Sequence, residues 1–551
     1  MGTKPIIYQL LPRLFTNLCT SCKPNGSIEQ NGCGKMNDIN DSILAQIRDL
    51  GVTHIWYTGV IEHATTTDYT KYNITSSNKY IVKGKAGSPY AIRDYYDIDP
   101  DIAVNIDNRI GEWQNLINRT HKVGMKVIMD FVPNHVAREY KSDKKPKDIK
   151  DFGETDNTNM FFSPNNNFYY ITGKSFTPQI DLGAGENQYK EYPAKATGND
   201  CYSEAPTTND WYETIKLNYG VDPWNGSKHF SPIPSTWIKM LDILRYWSSM
   251  GIDGFRCDMA HMVPVEFWNW AISEIKKEYP SIIFIAEIYD TSLYRSYINY
   301  GGFDYLYDKV TLYDTLFNIL KYNSSAKEIT QCWQCINETK GHMLNFLENH
   351  DELRIASPQF CGDPFIAKPA LVVSALISTC PFMIYAGQEF GECASESEGY
   401  SGNDGRTTIF DYWSVPTLRQ WQTNQISNKA KELQNYYQKI LRLCNCHTAI
   451  SLGSMYDLMY VNPHLNRQFA FLRHYEDDLL LIVANFGNCM VETSVNIPLH
   501  AFEYLNIQQG TYSAKDLLTT KSCELAFNCN EPVRLDVPQH GAVVFELKYN
   551  G

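Results

Sequence analysis

No low-complexity tract interrupts the 551 residues, of which 43% are apolar and 20% charged, so a disordered chain is excluded. Positive charge is short. Forty-nine Lys and Arg against 62 Asp and Glu leave a net charge of −13, which argues against a protein that tracks nucleic-acid phosphates. Cysteine is also sparse: fifteen, an odd number, is far below the density of a disulfide scaffold, and mostly reduced thiols are expected. Cys19-x-x-Cys22 and Cys332-x-x-Cys335 lie far apart, without the flanking His or βαβ context of a zinc or redox motif. Met1 to Phe15 lacks a basic segment followed by an apolar one, so no signal peptide is visible. A cytoplasmic location is expected, or a secreted or periplasmic one if a leader has been trimmed. No membrane span is expected, because the longest uncharged stretch, Pro369 to Gly387, contains Ser374, Ser378, Thr379 and Pro381 and reads as a buried helix followed by a strand. Aromatic residues, by contrast, are plentiful at 13%, with 37 Tyr and 11 Trp; such side chains serve equally as sugar platforms and as core.

At roughly 100–200 residues per domain the chain is long enough for two to four domains. Short apolar runs of strand character occur eight times: Ile6–Leu11, Thr53–Thr58, Lys126–Asp130, Gly254–Asp258, Ile282–Glu287, Phe303–Tyr307, Met343–Glu348 and Phe382–Tyr385. Between them apolar residues return with helical period, as at Trp237, Met240, Leu241, Leu244 and Trp247 after Ser235, or Ile43, Ile47 and Leu50 with Asp41 as the expected cap. Strand and helix alternating eight times predict an α/β fold, a parallel (β/α)8 TIM barrel. The third and fourth runs are separated by a long stretch rich in Asn, Asp, Lys, Pro and Tyr, too long for a plain loop, so a small domain is expected to be inserted after strand 3. After about Ser451 the pattern becomes one of alternating strands, as in Leu479–Phe486 and Ala542–Leu547, and predicts a C-terminal antiparallel β-sandwich. The expected division is barrel 1–136, inserted domain 137–234, barrel 235–450 and C-terminal domain 451–551.

Catalytic groups of such barrels sit at the carboxyl ends of the strands. There the third run gives Asp130-Phe-Val-Pro-Asn134-His135, the fourth Arg256-Cys-Asp258, the fifth Ala286-Glu287 and the seventh Glu348-Asn349-His350-Asp351. A single acidic residue ending a strand usually caps the next helix or binds loop amides; four polar sets on one rim are unusual. Arg256 and Asp258, two apart, point to one face, where the guanidinium keeps the carboxylate ionised, as a nucleophile requires. Glu287 ends an Ile-Ile-Phe-Ile-Ala run whose apolar surroundings are expected to keep it protonated, as a general acid requires. Adjacent strands lie about 4.8 Å apart, which suits the roughly 5–5.5 Å carboxylate separation of a retaining glycosidase. The plainer reading is an Arg–Asp–Glu ion network that supports the rim.

With these residues in this order, the sequence resembles the α-amylase family of glycoside hydrolases and transglycosidases, which act on α-glucans. Asp130 to His135, Gly254 to Asp258, Glu287 and Asn349 to Asp351 resemble its four signatures. Ile7-Tyr8-Gln9, Gly51 to Trp56, Tyr90 with Asp94 to Pro100, Ile215 to Asn218 and Tyr385 to Glu389 add to the match. The resemblance implies Asp258 as nucleophile, Glu287 as acid/base and Asp351 as the carboxylate that orients the sugar. It also implies Arg256 as the residue positioning the nucleophile, His135 and His350 as hydrogen-bonding partners of sugar hydroxyls, and Tyr90 as a stacking platform. Trp211 and Trp224 are ambiguous between platform and local core. The expected function is a retaining hydrolase of α-1,4 bonds in starch, glycogen or maltodextrins. A transglycosidase or isomerase of the same family, and a non-catalytic carbohydrate-binding protein, are the alternatives.

One departure bears on metal and acceptor. Many family members carry Lys-His three and four residues after the nucleophile, the second giving a carbonyl to calcium; here Asp258-Met-Ala-His261-Met262 replaces that pair. Calcium is therefore left open, with Asn134 as the candidate metal ligand and Asp156, Asp200 and Asp210 as possible oxygen donors from the insert. The Asn25-Gly26 and Asn31-Gly32 pairs read as turns. No starch-binding module is visible.

Overall fold

The computed structural model describes residues 4–550. Eight parallel strands close the predicted barrel: β1 (Ile6–Leu10), β2 (His54–Tyr57), β3 (Lys126–Phe131), β4 (Gly254–Cys257), β5 (Ile283–Ala286), β6 (Tyr305–Tyr307), β7 (Met343–Phe346) and β8 (Phe382–Tyr385). Each pairs with its neighbours in sequence, and β8 closes on β1 with Ile6 opposite Phe382. Every residue of β1, β2, β4, β7 and β8 is buried, because such a strand faces the barrel interior on one side and a helix on the other. That is why the runs read as continuously apolar. Ile7, Trp56, Ile128, Ile285, Tyr307, Leu344 and Met383 pack together inside the barrel. Gly254 leaves them room, since a Cβ there would stand 2.7 Å from Ile283 Cγ1.

The strands stop earlier than the apolar runs suggested, at Cys257, Ala286 and Phe346. The acidic residues that follow lie beyond the last ladder hydrogen bond, where the backbone turns over the rim.

Helices on the outside include α1 (Asp41–Asp49), α2 (Arg109–Lys122), α3 (Ser235–Ser249), α4 (Val265–Glu278), α5 (Glu328–Ile336), α6 (Lys368–Leu376) and α7 (Asn428–Cys446). In α3 the residues Trp237, Met240, Leu241, Leu244 and Trp247 form the buried stripe that their spacing predicts. The cap of α1 is Asn40 rather than Asp41: its extended backbone lets its Oδ1 accept from Ser42 N at 3.0 Å and Ile43 N at 3.1 Å, while Asp41 has already entered the helix. Pro369 to Gly387 holds most of helix α6 and all of strand β8. No described helix is long and apolar enough to cross a membrane.

Between β3 and α3 the chain is mostly irregular. Its two ends meet in an antiparallel pair, His135–Ala137 with Thr214–Lys216, so the segment leaves and re-enters the rim at one place. Ile171, Phe176, Tyr189, Ala194 and Tyr212, with Ile81 from the barrel side, make a separate small core. After α7 the strands β9 (Ser454–Asp457), β10 (Gln468–Tyr475), β11 (Asp478–Asn485), β12 (Val491–Val495), β13 (Gly510–Asp516), β14 (Ser522–Phe527), β15 (Val533–Val537) and β16 (Gly541–Tyr549) follow. Six form one antiparallel sheet in the order β9-β10-β11-β16-β13-β14, and β12 pairs with β15 in a second, two-stranded sheet. All fifteen cysteines are free thiols.

Candidate active site

Arg256 is the centre of the rim. It projects from β4, 1% exposed, and its guanidinium lies 5.3 Å from the ring centroids of Trp56 and Tyr90 and 5.5 Å from that of Tyr307. Its Nε donates to the Tyr307 hydroxyl at 3.1 Å. Its Nη1 pairs with Asp258 Oδ1 and its Nη2 with Glu287 Oε2, each at 2.7 Å, and Asp130 Oδ1 lies 3.6 Å from Nη1. The two terminal nitrogens of one guanidinium thus hold one carboxylate each, a few ångströms apart, as residues from adjacent strands must be.

Glu287 is surrounded by donors rather than by the apolar environment expected. Its Oε1 accepts from the Tyr289 hydroxyl at 2.5 Å and its Oε2 from Met259 N at 2.9 Å. Met259 adopts a left-handed backbone at φ 43°, which a non-glycine residue enters only at a cost, and it directs that amide towards Glu287. Burial pushes the Asp258 carboxyl well above the ordinary range; Arg256 opposes this, while the Glu287 and Asp130 charges reinforce it. Asp130 is raised as well, by burial, against Arg256.

A cleft of about 310 Å³ is lined by Tyr90, His135, Trp211, Asp258, Glu287, Tyr289 and Asp351, among others. It therefore brings together five of the seven predicted catalytic and substrate-binding residues. Arg256 and His350 lie behind its wall. His350 receives Gln9 Nε2 at its Nδ1, 2.7 Å away, and its Nε2 lies 2.6 Å from the Tyr90 hydroxyl and 3.0 Å from Asp351 Oδ2. Tyr90 and His350 stack at 5.3 Å. The Asp351 side chain is 42% exposed; loss of water raises its carboxyl, but the adjacent His350 and Arg256 hold it below the ordinary value. His135 packs on Trp211 at 5.3 Å, and burial, aided by Lys216 and Lys83, lowers its pKa to about 3, so the ring is neutral. Trp224 is elsewhere, 70% exposed against Phe161.

A family model described as "Alpha amylase, catalytic domain" matches residues 9–440. The chain belongs to the alpha-amylase family. It is 23% identical over 456 residues to Alpha-amylase 2 of Dictyoglomus thermophilum, covering 81% of this chain and 62% of that relative. It is 22% identical over 409 residues to a cyclomaltodextrin glucanotransferase of Geobacillus stearothermophilus, covering 70% of this chain and 50% of the relative. The chain thus spans half to two thirds of the length of these relatives. Among solved structures it is similar in fold to a maltogenic alpha-amylase from Thermotoga neapolitana, with TM-score 0.63, 19% identity and 99% of both chains covered.

Against this family background the proposed cation ligand is placed differently from the expectation. Asn134 Oδ1 accepts from Lys216 Nζ, and that ammonium also pairs with Asp200 Oδ1 at 2.8 Å and donates to the Met262 carbonyl at 3.2 Å. Met262 is the residue four beyond Asp258, the position from which many family members give a carbonyl to calcium. Asp156 is engaged instead by Asn167 N, Phe168 N and the Tyr170 hydroxyl, and Asp210 by Asn199 and Thr207. The oxygens of Asp156 and Asp210 are taken up by these partners, while those of Asn134, Asp200 and Met262 meet on the Lys216 ammonium, so the cluster at Asn134 is filled by a side-chain cation and as it stands does not fit calcium. Among the described residues Glu62, Asp94 and Asp97 offer ligand atoms within 4.8 Å of one another. Both Asp94 oxygens are hydrogen-bonded, by Tyr96 N, Ser142 Oγ, Asp143 N and Lys144 N, and Asp97 is clamped by Arg109.

Sequence reading did not single out Tyr289, Tyr307, the Met259 amide, Gln9 as the partner of His350, or Lys216 as an internal cation. Tyr289 lies two residues beyond Glu287, so alternation carries the only signal for it. Lys216 sat within a recognised motif, yet nothing in its spacing pointed to Asn134.

Proposed function

We propose that this chain is a retaining α-glucan hydrolase that cleaves α-1,4-glucosidic bonds of starch, glycogen or maltodextrins in two displacements. The observation that carries this reading is the sharing of Arg256 by Asp258 and Glu287 beside a cleft that Asp351 also lines. Three carboxylates, Asp130, Asp258 and Glu287, face one guanidinium in a buried site. The reacting form of a retaining pair has the proton on the acid, here Glu287, and an ionised nucleophile, here Asp258. Asp258 attacks the anomeric carbon while Glu287 protonates the leaving oxygen; Glu287 then takes a proton from water as the water attacks the glycosyl-enzyme and the bond to Asp258 breaks. Tyr289 and Met259 N hold Glu287 in place through both steps. Asp351, tied to His350 and through it to Tyr90, is set to bind sugar hydroxyls next to the reacting carbon.

A sugar hydroxyl in place of water in the second step would give a transglycosidase. His261 and Met262 in place of the Lys-His pair, and relatives named as transferases, keep this second reading in view. Lys216 supplies the positive charge expected of calcium, so the reading includes no calcium requirement.

The test is incubation with maltoheptaose beside Asp258→Asn, with products separated by length. Shorter sugars with rising reducing ends from the parent and near-complete silence from the variant are the expected result. Products longer than the substrate with few new reducing ends would identify the transglycosidase instead. No products would overturn both readings.

A further inference from the structure

A group of aromatic rings stands on the C-terminal domain and shares no residue with the lining of the catalytic cleft. Tyr460 and Tyr504 are 55% and 66% exposed. Tyr456 and His500 join them: ring centroids are 5.8 Å apart for Tyr456 and Tyr504, 5.7 Å for Tyr456 and His500, and 5.6 Å for Tyr460 and His500. The polar edges of Tyr456, Tyr460 and His500 are engaged with one another, since the Tyr456 and Tyr460 hydroxyls lie 2.9 Å apart and the Tyr460 hydroxyl bonds His500 Nε2. Ring surface is therefore what the group offers to solvent. Asp457 fixes its position. It accepts from Trp333 Nε1 at 2.9 Å and Thr330 Oγ1 at 2.7 Å, both on α5, and from Met459 N at 2.7 Å. The loop that carries Tyr460 is thereby fastened to the barrel. A cavity of about 290 Å³ opens at this junction, with Trp333, Lys340, Ser454 and Tyr504 in its lining. Tyr504 belongs to both the aromatic group and the cavity.

We propose that this junction is a second binding site for α-1,4-glucan, separate from the catalytic cleft; the choice of ligand rests on the function proposed above. A pyranose ring presents a C–H face that an exposed tyrosine ring covers, and hydroxyls at its edge that Ser454 and Lys340 can meet. An uncharged polyol requires no paired charge from the exposed rings of Tyr456, Tyr460, His500 and Tyr504. A polymer held here and in the cleft is retained by two contacts, which raises its effective concentration at the active site without altering the chemistry. Short oligosaccharides gain nothing from the arrangement.

The experiment compares the parent, Asp258→Asn, the double variant Tyr460→Ala/Tyr504→Ala and the matching double Phe variant. Affinity electrophoresis in amylopectin gels reads polymer binding, and thermal melts check that each variant folds. The Ala pair is expected to bind amylopectin about tenfold more weakly, which is about 0.7 kcal/mol per ring, with maltoheptaose turnover and melting temperature unchanged. The Phe pair keeps the ring faces and is expected to bind as the parent does. Equal retardation of the Ala pair and the parent, or no retardation of any form, overturns the proposal. So does a dimer of the parent that the Ala pair breaks while retardation stays the same, which would make the group a self-association surface. Failure of the functional reading is seen separately: no maltoheptaose turnover by the parent, whatever the gels report.

Discussion

At the scale of single residues, the rim works through one buried cation with too many anions around it. Arg256 contacts Asp258 and Glu287 directly and lies near Asp130. Asp258 has to be ionised to react, and burial together with the Glu287 and Asp130 charges pushes its carboxyl up against the pull of Arg256. The acid limb of the kcat/KM profile is therefore expected above the pH of an ordinary carboxylate. Asp130→Asn removes one of the charges that raise Asp258, so the limb should move to lower pH. A limb that stays put or moves up would show that Asp130 does not act on Asp258 through its charge.

The gathering of these residues on the rim was legible because motif order and strand-end position agreed; the environment of Glu287 was not. An apolar run before a carboxylate says what lies below it in the barrel. Only the turn at Met259 and the placement of Tyr289 say what lies around it.

At the scale of elements, the segment between β3 and α3 is tied to the rim by Lys216, which reaches Asn134 after β3 and Met262 after β4 while pairing with Asp200 of its own segment. One ammonium thus bridges three stretches of chain. Lys216→Ala should cost about 2–4 kcal/mol, because it leaves a buried amide oxygen and a carboxylate without their partner. The parent is expected to melt at the same temperature with calcium or with a chelator. The variant, whose vacated position is lined by oxygen atoms, should be restabilised in part by calcium. Loss of stability of the parent on chelation would overturn this account.

The helix caps illustrate a finer limit of the same kind. Asn40 and Asp41 are both good caps by type, and the backbone angle of Asn40 decides between them.

At the scale of the whole molecule, barrel and C-terminal sheet share one continuous hydrophobic core. Arg473 of β10 sits at the seam, 1% exposed, and donates to the carbonyls of Ile377, Ala449, Ile450 and Gly453. Burial lowers its pKa to about 10, so it stays charged at neutral pH. Arg473→Leu leaves those carbonyls without a donor and should cost about 3–5 kcal/mol. Calorimetry should record one cooperative transition at a lower temperature. An unchanged transition would mean that the seam does not contribute to folding stability.

By itself the sequence determined the alternation of eight strands with helices, the antiparallel pattern of the C-terminal strands and the acidic residues on the rim. These follow from periodicity and local order, which neighbouring residues impose on one another. Tertiary structure alone decided that Arg256 is shared, that His350 is held by Gln9 and Tyr90, that Lys216 meets Asn134, Asp200 and Met262, and that Tyr456, Tyr460 and Tyr504 gather beside the barrel. Each of those depends on side chains distant in the chain meeting at one point, and such meetings are set by closure of the barrel and docking of the sheet, which leave no periodic trace in the sequence.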